Sequence, residues 1–157
     1  MLTWTYLALM TREFFVGQWI RERPITYLWT HMLILPLTDF YATACDWVPA
    51  GHGPPAGLTW FVVVSFFNGV GLEIGRKIRA PENEEEGVRT YSHLWGGRVA
   101  TLAWGAALVV TATGAIAAAT QIGFGVMVGT ILSALLLLLV ILPAVRKGRE
   151  EAFQEES

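Results

Sequence analysis

The residues with most chemistry in them crowd into one stretch, FFNGVGLEIGRKIRAPENEEEGVRTYSHLWGG, from Phe66 to Gly97. Asn68 lies inside an apolar run, and Glu73 follows one to two helical turns later, near the end of that run. An ionisable side chain near membrane depth is costly, so it is by default a functional candidate. Arg76, Lys77 and Arg79 come at once after it, then Glu82 and the run Glu84, Glu85, Glu86. Carboxylates and an amide oxygen can hold Mg²⁺, a hard cation that prefers oxygen. Arginine and lysine can neutralise the charge left on phosphate. Together they suit a polyphosphate ligand and could stabilise a departing diphosphate. A plainer chemistry fits the same letters. The basic residues can be membrane anchors, the glutamate run a solvated face, and Glu73 with Lys77 an i, i+4 ion pair.

A second constellation is Asp39 and Asp46, seven residues apart and so on one helical face. Pro36 precedes Asp39 by less than a turn and is expected to kink the helix. Asp46 reads as solvated. Asp39 is deeper, and two roles stay open for it: binding a polar group in a central cavity, or bonding to a neighbouring helix. His31 reads as a packed core histidine and His52 as a loop residue. Cys45 is the single cysteine, which excludes an intrachain disulfide and a cysteine metal cage.

The elements that must carry these residues are membrane helices. The chain of 157 residues is 54% hydrophobic and 15% charged, against about 25% charged in an ordinary soluble domain. Crossing a bilayer takes about 20 apolar residues, and four stretches are expected to do so: Ile25 to Cys45, Leu58 to Glu73, Val99 to Thr120 and Gly123 to Val145. Met1 to Thr11 reads as the end of a further span whose beginning is missing, and Glu13 to Arg23 as an interfacial segment. No cleavable signal peptide is expected. With spans so drawn, all eleven lysines and arginines fall on one side. That side, with the loop 74–98 and the C-terminus, is expected to be cytoplasmic. The connection from Asp46 to Gly57 is rich in glycine and proline and lies on the other side. Gly69, Gly71 and Gly75 adjoin the charged loop, where they could let backbone approach a ligand. Gly105, Gly114, Gly125 and Gly129 read as helix contacts, the last two at a small-xxx-small spacing. No basic stripe interleaved with aromatics points to nucleic acid. The fold expected is thus all-α, one integral membrane bundle over residues 1–157, with about four full spans and a partial N-terminal one.

Asn68, Glu73, Gly87, Thr90 and Gly96 fall in the order of the second signature of the UbiA-type intramembrane prenyltransferases, and EIGRKIRAPENEEEGVRTYSHLWG resembles a bacterial branch of that family. The likeness extends more weakly over REFF at Arg12 and over LPLTDFYATACDW. It implies a helical bundle around a central cavity in a bacterial inner membrane. It also implies Mg²⁺-dependent transfer of a prenyl group from a prenyl diphosphate to a lipophilic acceptor. Carried over by position, Asn68 and Glu73 are metal or diphosphate ligands, Lys77 and Arg79 contact diphosphate, and Arg76 joins them in substrate binding. Glu82 is placed to supply a missing carboxylate. The departures are specific. The family's first acidic motif is absent, Glu73 stands where aspartate is usual, Lys77 takes the place of the second acid, and two spans rather than three follow the loop. They lead to the expectation of a C-terminal part of a longer protein, inactive alone and completed by a missing N-terminal half. Two other classes compete: a noncatalytic membrane subunit that binds lipid or a protein partner, and a transporter fragment using Asp39 and Glu73 as ion ligands.

Overall fold

A computed structural model describes residues 1–84 and 88–138, and within them every regular element is helical. Part of the charged loop (85–87) and of the last expected span (139–145), together with the C-terminal tail, therefore lies outside the described residues. In order, the elements are α1 (Leu2–Thr11), a 3₁₀ turn (Glu13–Phe15), α2 (Gly17–Arg21), α3 (Pro24–Met32), α4 (Ile34–Trp47), α5 (Leu58–Gly75), a second 3₁₀ turn (Pro81–Asn83), α6 (Tyr91–Trp95) and α7 (Gly97–Gln121). An apolar helix, α8, covers Gly125–Leu138.

Two of these, α5 and α7, are long and apolar enough to cross a membrane. On α7, Leu102 is 73% and Val109 63% exposed. The first expected span is divided. Pro36 has no N–H to give the Met32 carbonyl four residues back, and its ring crowds that carbonyl. The break between α3 and α4 falls at Leu33, next to Met32, as Pro36 dictates.

Two glycines let helices approach. A Cβ on Gly75 would stand 2.8 Å from Nε1 of Trp104 on α7, and one on Gly114 would stand 2.9 Å from Cγ2 of Val64 on α5. The glycines beside the charged loop thus serve packing: Gly69 faces Leu35 and Met32, Gly71 faces Leu108, and Gly75 faces Trp104. Among the described residues a Cβ on Gly105 or Gly129 would meet nothing within 4 Å, and one on Gly125 would meet Thr120 at the end of α7.

The chain runs up and down. Thr3 donates to the Leu37 carbonyl and Tyr6 to the Thr30 carbonyl, so α1 is antiparallel to α3 and α4. Gly57, before α5, lies against Ala118 and Gln121 at the end of α7. The opposite end of the bundle joins the end of α5 to α6 and to α2. There the core gathers Leu28, Phe66, Val70, Ile74, Tyr91, Ala100 and Ala107.

Candidate functional site

The buried face of α5 reads Phe66, Gly69, Val70, Glu73, Ile74, the i, i+3, i+4, i+7 stripe of a packed helix. Glu73 stands on that stripe among apolar neighbours and is only 4% exposed. A carboxylate so placed needs compensation, because desolvating an unpaired charge costs several kcal/mol. Two cations supply it. Arg76 pairs with Oε2 one turn on, and Lys77 Nζ stands 2.8 Å from Oε1. The lysine contact is an ion pair without hydrogen-bond alignment, since Oε1 has no aligned donor.

Lys77 in turn reaches between two aromatic rings. Its Nζ lies 5.5 Å from the centroid of Tyr27 on α3 and 5.7 Å from that of Tyr91 on α6, within the range of cation–π attraction. The Tyr91 amide donates to the Lys77 carbonyl at 3.0 Å, which ties α6 to the end of α5. Burial first, then the charge of Glu73, pushes the Tyr91 hydroxyl up to about 12, so it stays a neutral donor at physiological pH.

These groups form one wall of an open cleft of about 460 Å³. It is lined by Gln18, Arg21 and Glu22 from the α2 segment, Pro24 and Tyr27 of α3, Lys77, Arg89, Tyr91 and Leu94. Arg89 closes its rim by donating to the Arg21 carbonyl at 2.9 Å across 68 residues of sequence. Arg21 pairs with Glu13 at 3.3 Å.

A separate knot fixes the loop that carries Arg89. The Thr90 hydroxyl donates to the Glu84 carboxylate, 2.6 and 2.7 Å from its two oxygens, and Ser92 donates to Oε1 at 2.6 Å. Thr90 Oγ1 also accepts from the His93 amide and so caps α6. The hydroxyls of Ser92 and Thr90, then the charges of His93 and Arg79, hold the Glu84 carboxyl below its usual range.

The expected site residues are only partly brought together. Glu73, Arg76 and Lys77 converge. Arg79 turns into a different groove with Glu82, Asn83 and Glu84, and its guanidinium reaches the Asn83 carbonyl. Asn68 is exposed, on the stripe of Leu72 and Arg76 and about 140° around α5 from Glu73. The expected metal set of Asn68, Glu73 and Glu82 therefore does not converge. Among the described residues no three His, Cys, Asp or Glu side chains are placed to share an ion. Asp39 is half-buried on α4, about 20 Å along the helix from Pro24 at the cleft. It is also not among the residues of the apolar groove between α4 and α5. Asp39 thus lies away from the cleft. His31 stacks on Tyr27 with centroids 3.9 Å apart.

Sequence reasoning missed Arg21, Arg89, Tyr27 and Tyr91 as site residues. The two arginines had been absorbed into the charge bias of the loops, and a contact spanning 68 positions leaves no local signal. No protein-family model, no curated protein and no solved structure matches the chain.

Proposed function

We propose that the chain is a four-span membrane bundle that binds a prenyl diphosphate at its cytoplasmic end, in the manner of the UbiA-type prenyltransferases it resembles. The observation that carries this reading is Lys77, held by buried Glu73 between Tyr27 and Tyr91 at the wall of a basic cleft. The four spans would be α3 with α4 through the Pro36 kink, α5, α7 and the apolar sequence from Gly123 to Val145. Arg21, Arg76, Lys77, Arg79, Arg89 and Arg98 all lie toward the end where α5 stops and α7 starts, which supports a cytoplasmic assignment for that end. The apolar groove between α4 and α5, of about 390 Å³ and lined by Leu33, Phe40, Val62 and Phe66 among others, suits a prenyl tail.

In transfer, the allylic C–O bond breaks and the diphosphate leaves with the electron pair. The acceptor then attacks the carbon and gives up a proton. Lys77, with Arg21 and Arg89 of the same cleft, would stabilise the negative charge that grows on the departing diphosphate. A noncatalytic reading, a subunit that binds lipid without turning it over, is favoured by one observation: both oxygens of Glu73 already face cations.

The test is binding of radiolabelled farnesyl diphosphate to the detergent-purified chain, with product assayed alongside. Saturable binding that Lys77→Met weakens by an order of magnitude is the expected result. Binding unchanged in that variant would remove Lys77, and with it this reading of the cleft.

A further inference from the structure

The cleft that holds Lys77 is basic on three sides, and its cations come from three separate parts of the chain. Arg21 comes from the interfacial segment, Lys77 from the end of α5, and Arg89 from the loop before α6. The balance of charge needs the neighbours too. Glu22 lines the cleft, Glu13 pairs with Arg21, and Glu73 is shared by Arg76 and Lys77. Among the described residues four cations thus face three carboxylates, which leaves an excess of one positive charge.

The arginines keep binding capacity. A guanidinium has five N–H donors. The Arg89 bond to the Arg21 carbonyl and the Arg21 pair with Glu13 each engage one terminal nitrogen, Nη1. Arg21 is 63% exposed along its side chain, so its fork can turn to an incoming ligand. The planar fork of arginine matches phosphate oxygens in pairs. Pro24 at the start of the nine-residue helix α3 also lines the cleft, and Arg23 at that helix start makes no side-chain cap. The positive end of α3 adds to the field of the three side chains. A volume of about 460 Å³ falls within the range of small-molecule sites, about 300–1,000 Å³. Tyr27, Tyr91 and Leu94 give the cleft apolar walls as well.

We infer that this cleft holds the terminal phosphates of a lipid with protein cations alone, Arg21, Lys77 and Arg89 doing the work that a metal ion does where acids converge. The inference rests on the proposed prenyl diphosphate reading for its ligand and departs from it in the means of binding. Arg21 and Arg89 set affinity for the phosphates, and Mg²⁺ is not required.

The experiment uses the full chain in detergent, with labelled farnesyl diphosphate as probe, in EDTA and in Mg²⁺. Inorganic diphosphate and phosphatidic acid in mixed micelles are the competitors. Saturable binding in EDTA is expected. It should fall about ten-fold or more in Arg21→Gln and in Arg89→Gln, the loss expected for a charged hydrogen bond, and should hold in Arg98→Gln, whose residue lies outside the cleft. Arg89→Lys should recover part of the loss. Should Arg89→Gln fail to fold, the exposed Arg21 decides the matter by itself. Binding that vanishes in EDTA, or that ignores both arginines, overturns the inference and leaves the prenyl diphosphate reading standing. Arginine-dependent binding of inorganic diphosphate or phosphatidic acid, without farnesyl diphosphate, keeps the cationic site and removes the prenyl ligand. No binding of any probe overturns both.

Discussion

Glu84 shows how one carboxylate can govern a site it does not line. It accepts from Thr90 and Ser92, and those bonds hold the segment from which Arg89 reaches Arg21 and Tyr91 reaches Lys77. Its carboxyl is held below the ordinary value of 4.5, so the folded state favours the ionised form. A depressed acid contributes stability above its unfolded value, and that contribution is lost as pH falls through the folded one. The loop should therefore loosen below about pH 4.5. Hydrogen exchange over residues 88–95, corrected for the intrinsic effect of pH, is expected to show lost protection in that window, and Glu84→Gln should show no such step. Equal protection of the native chain at pH 6 and pH 3 would detach Glu84 from the hold on the loop. At this scale the sequence was only half legible. Glu73 and Lys77 are an i, i+4 pair, one of the two readings their spacing allows. That Asn68 faces away from Glu73 was also there to be read, since positions 68, 72 and 76 form a stripe distinct from 66, 70, 73 and 74.

At the scale of elements, helix identity was legible because apolar run length and proline act locally. The kink at Leu33 follows from Pro36, and α5 and α7 keep nearly the expected ends. The turn between α1 and α2 was not legible. Glu13, Phe14 and Phe15 all take left-handed backbone, φ 47, 54 and 60, at a cost of about 1–2 kcal/mol each. The compensating contacts, Phe14 against Tyr6 and Glu13 against Arg21, include one with a residue of the preceding helix and one eight positions on, neither readable from the local sequence. The partners of the glycines were equally hidden, since which small residue meets another helix depends on the crossing. Gly75 and Gly105 now separate. A methyl group at Gly75 meets the rigid indole of Trp104, whereas one at Gly105 meets none of the described residues. Gly75→Ala should destabilise the α5–α7 pair by about 1–3 kcal/mol, and Gly105→Ala should stay within about 0.5 kcal/mol. Thermal unfolding in detergent measures both. Equal midpoints would mean that the indole yields and that Gly75 is not what sets the approach of these helices.

For the whole molecule, the order of helices and the gathering of charge at one end make a single argument about direction. The end of α5, the start of α7 and the α2 segment share the basic residues. The connection from Val48 to Gly57 at the other end has neither lysine nor arginine. Positive charge is retained on the cytoplasmic side during insertion, so the cleft should open to the cytoplasm and Gly53 to the outside. Single cysteines report this directly once Cys45, which is exposed, is replaced by serine. Gly53→Cys should react with a membrane-impermeant maleimide on intact cells, and Glu82→Cys only after permeabilisation. The reverse pattern would turn the bundle over, and a cleft facing outward would no longer meet a lipid diphosphate delivered from the cytoplasm. Reaction of both on intact cells would place the two ends on one face. The pair α5 and α7 could then not cross as drawn, because Gly53 precedes the start of α5 and Glu82 follows its end.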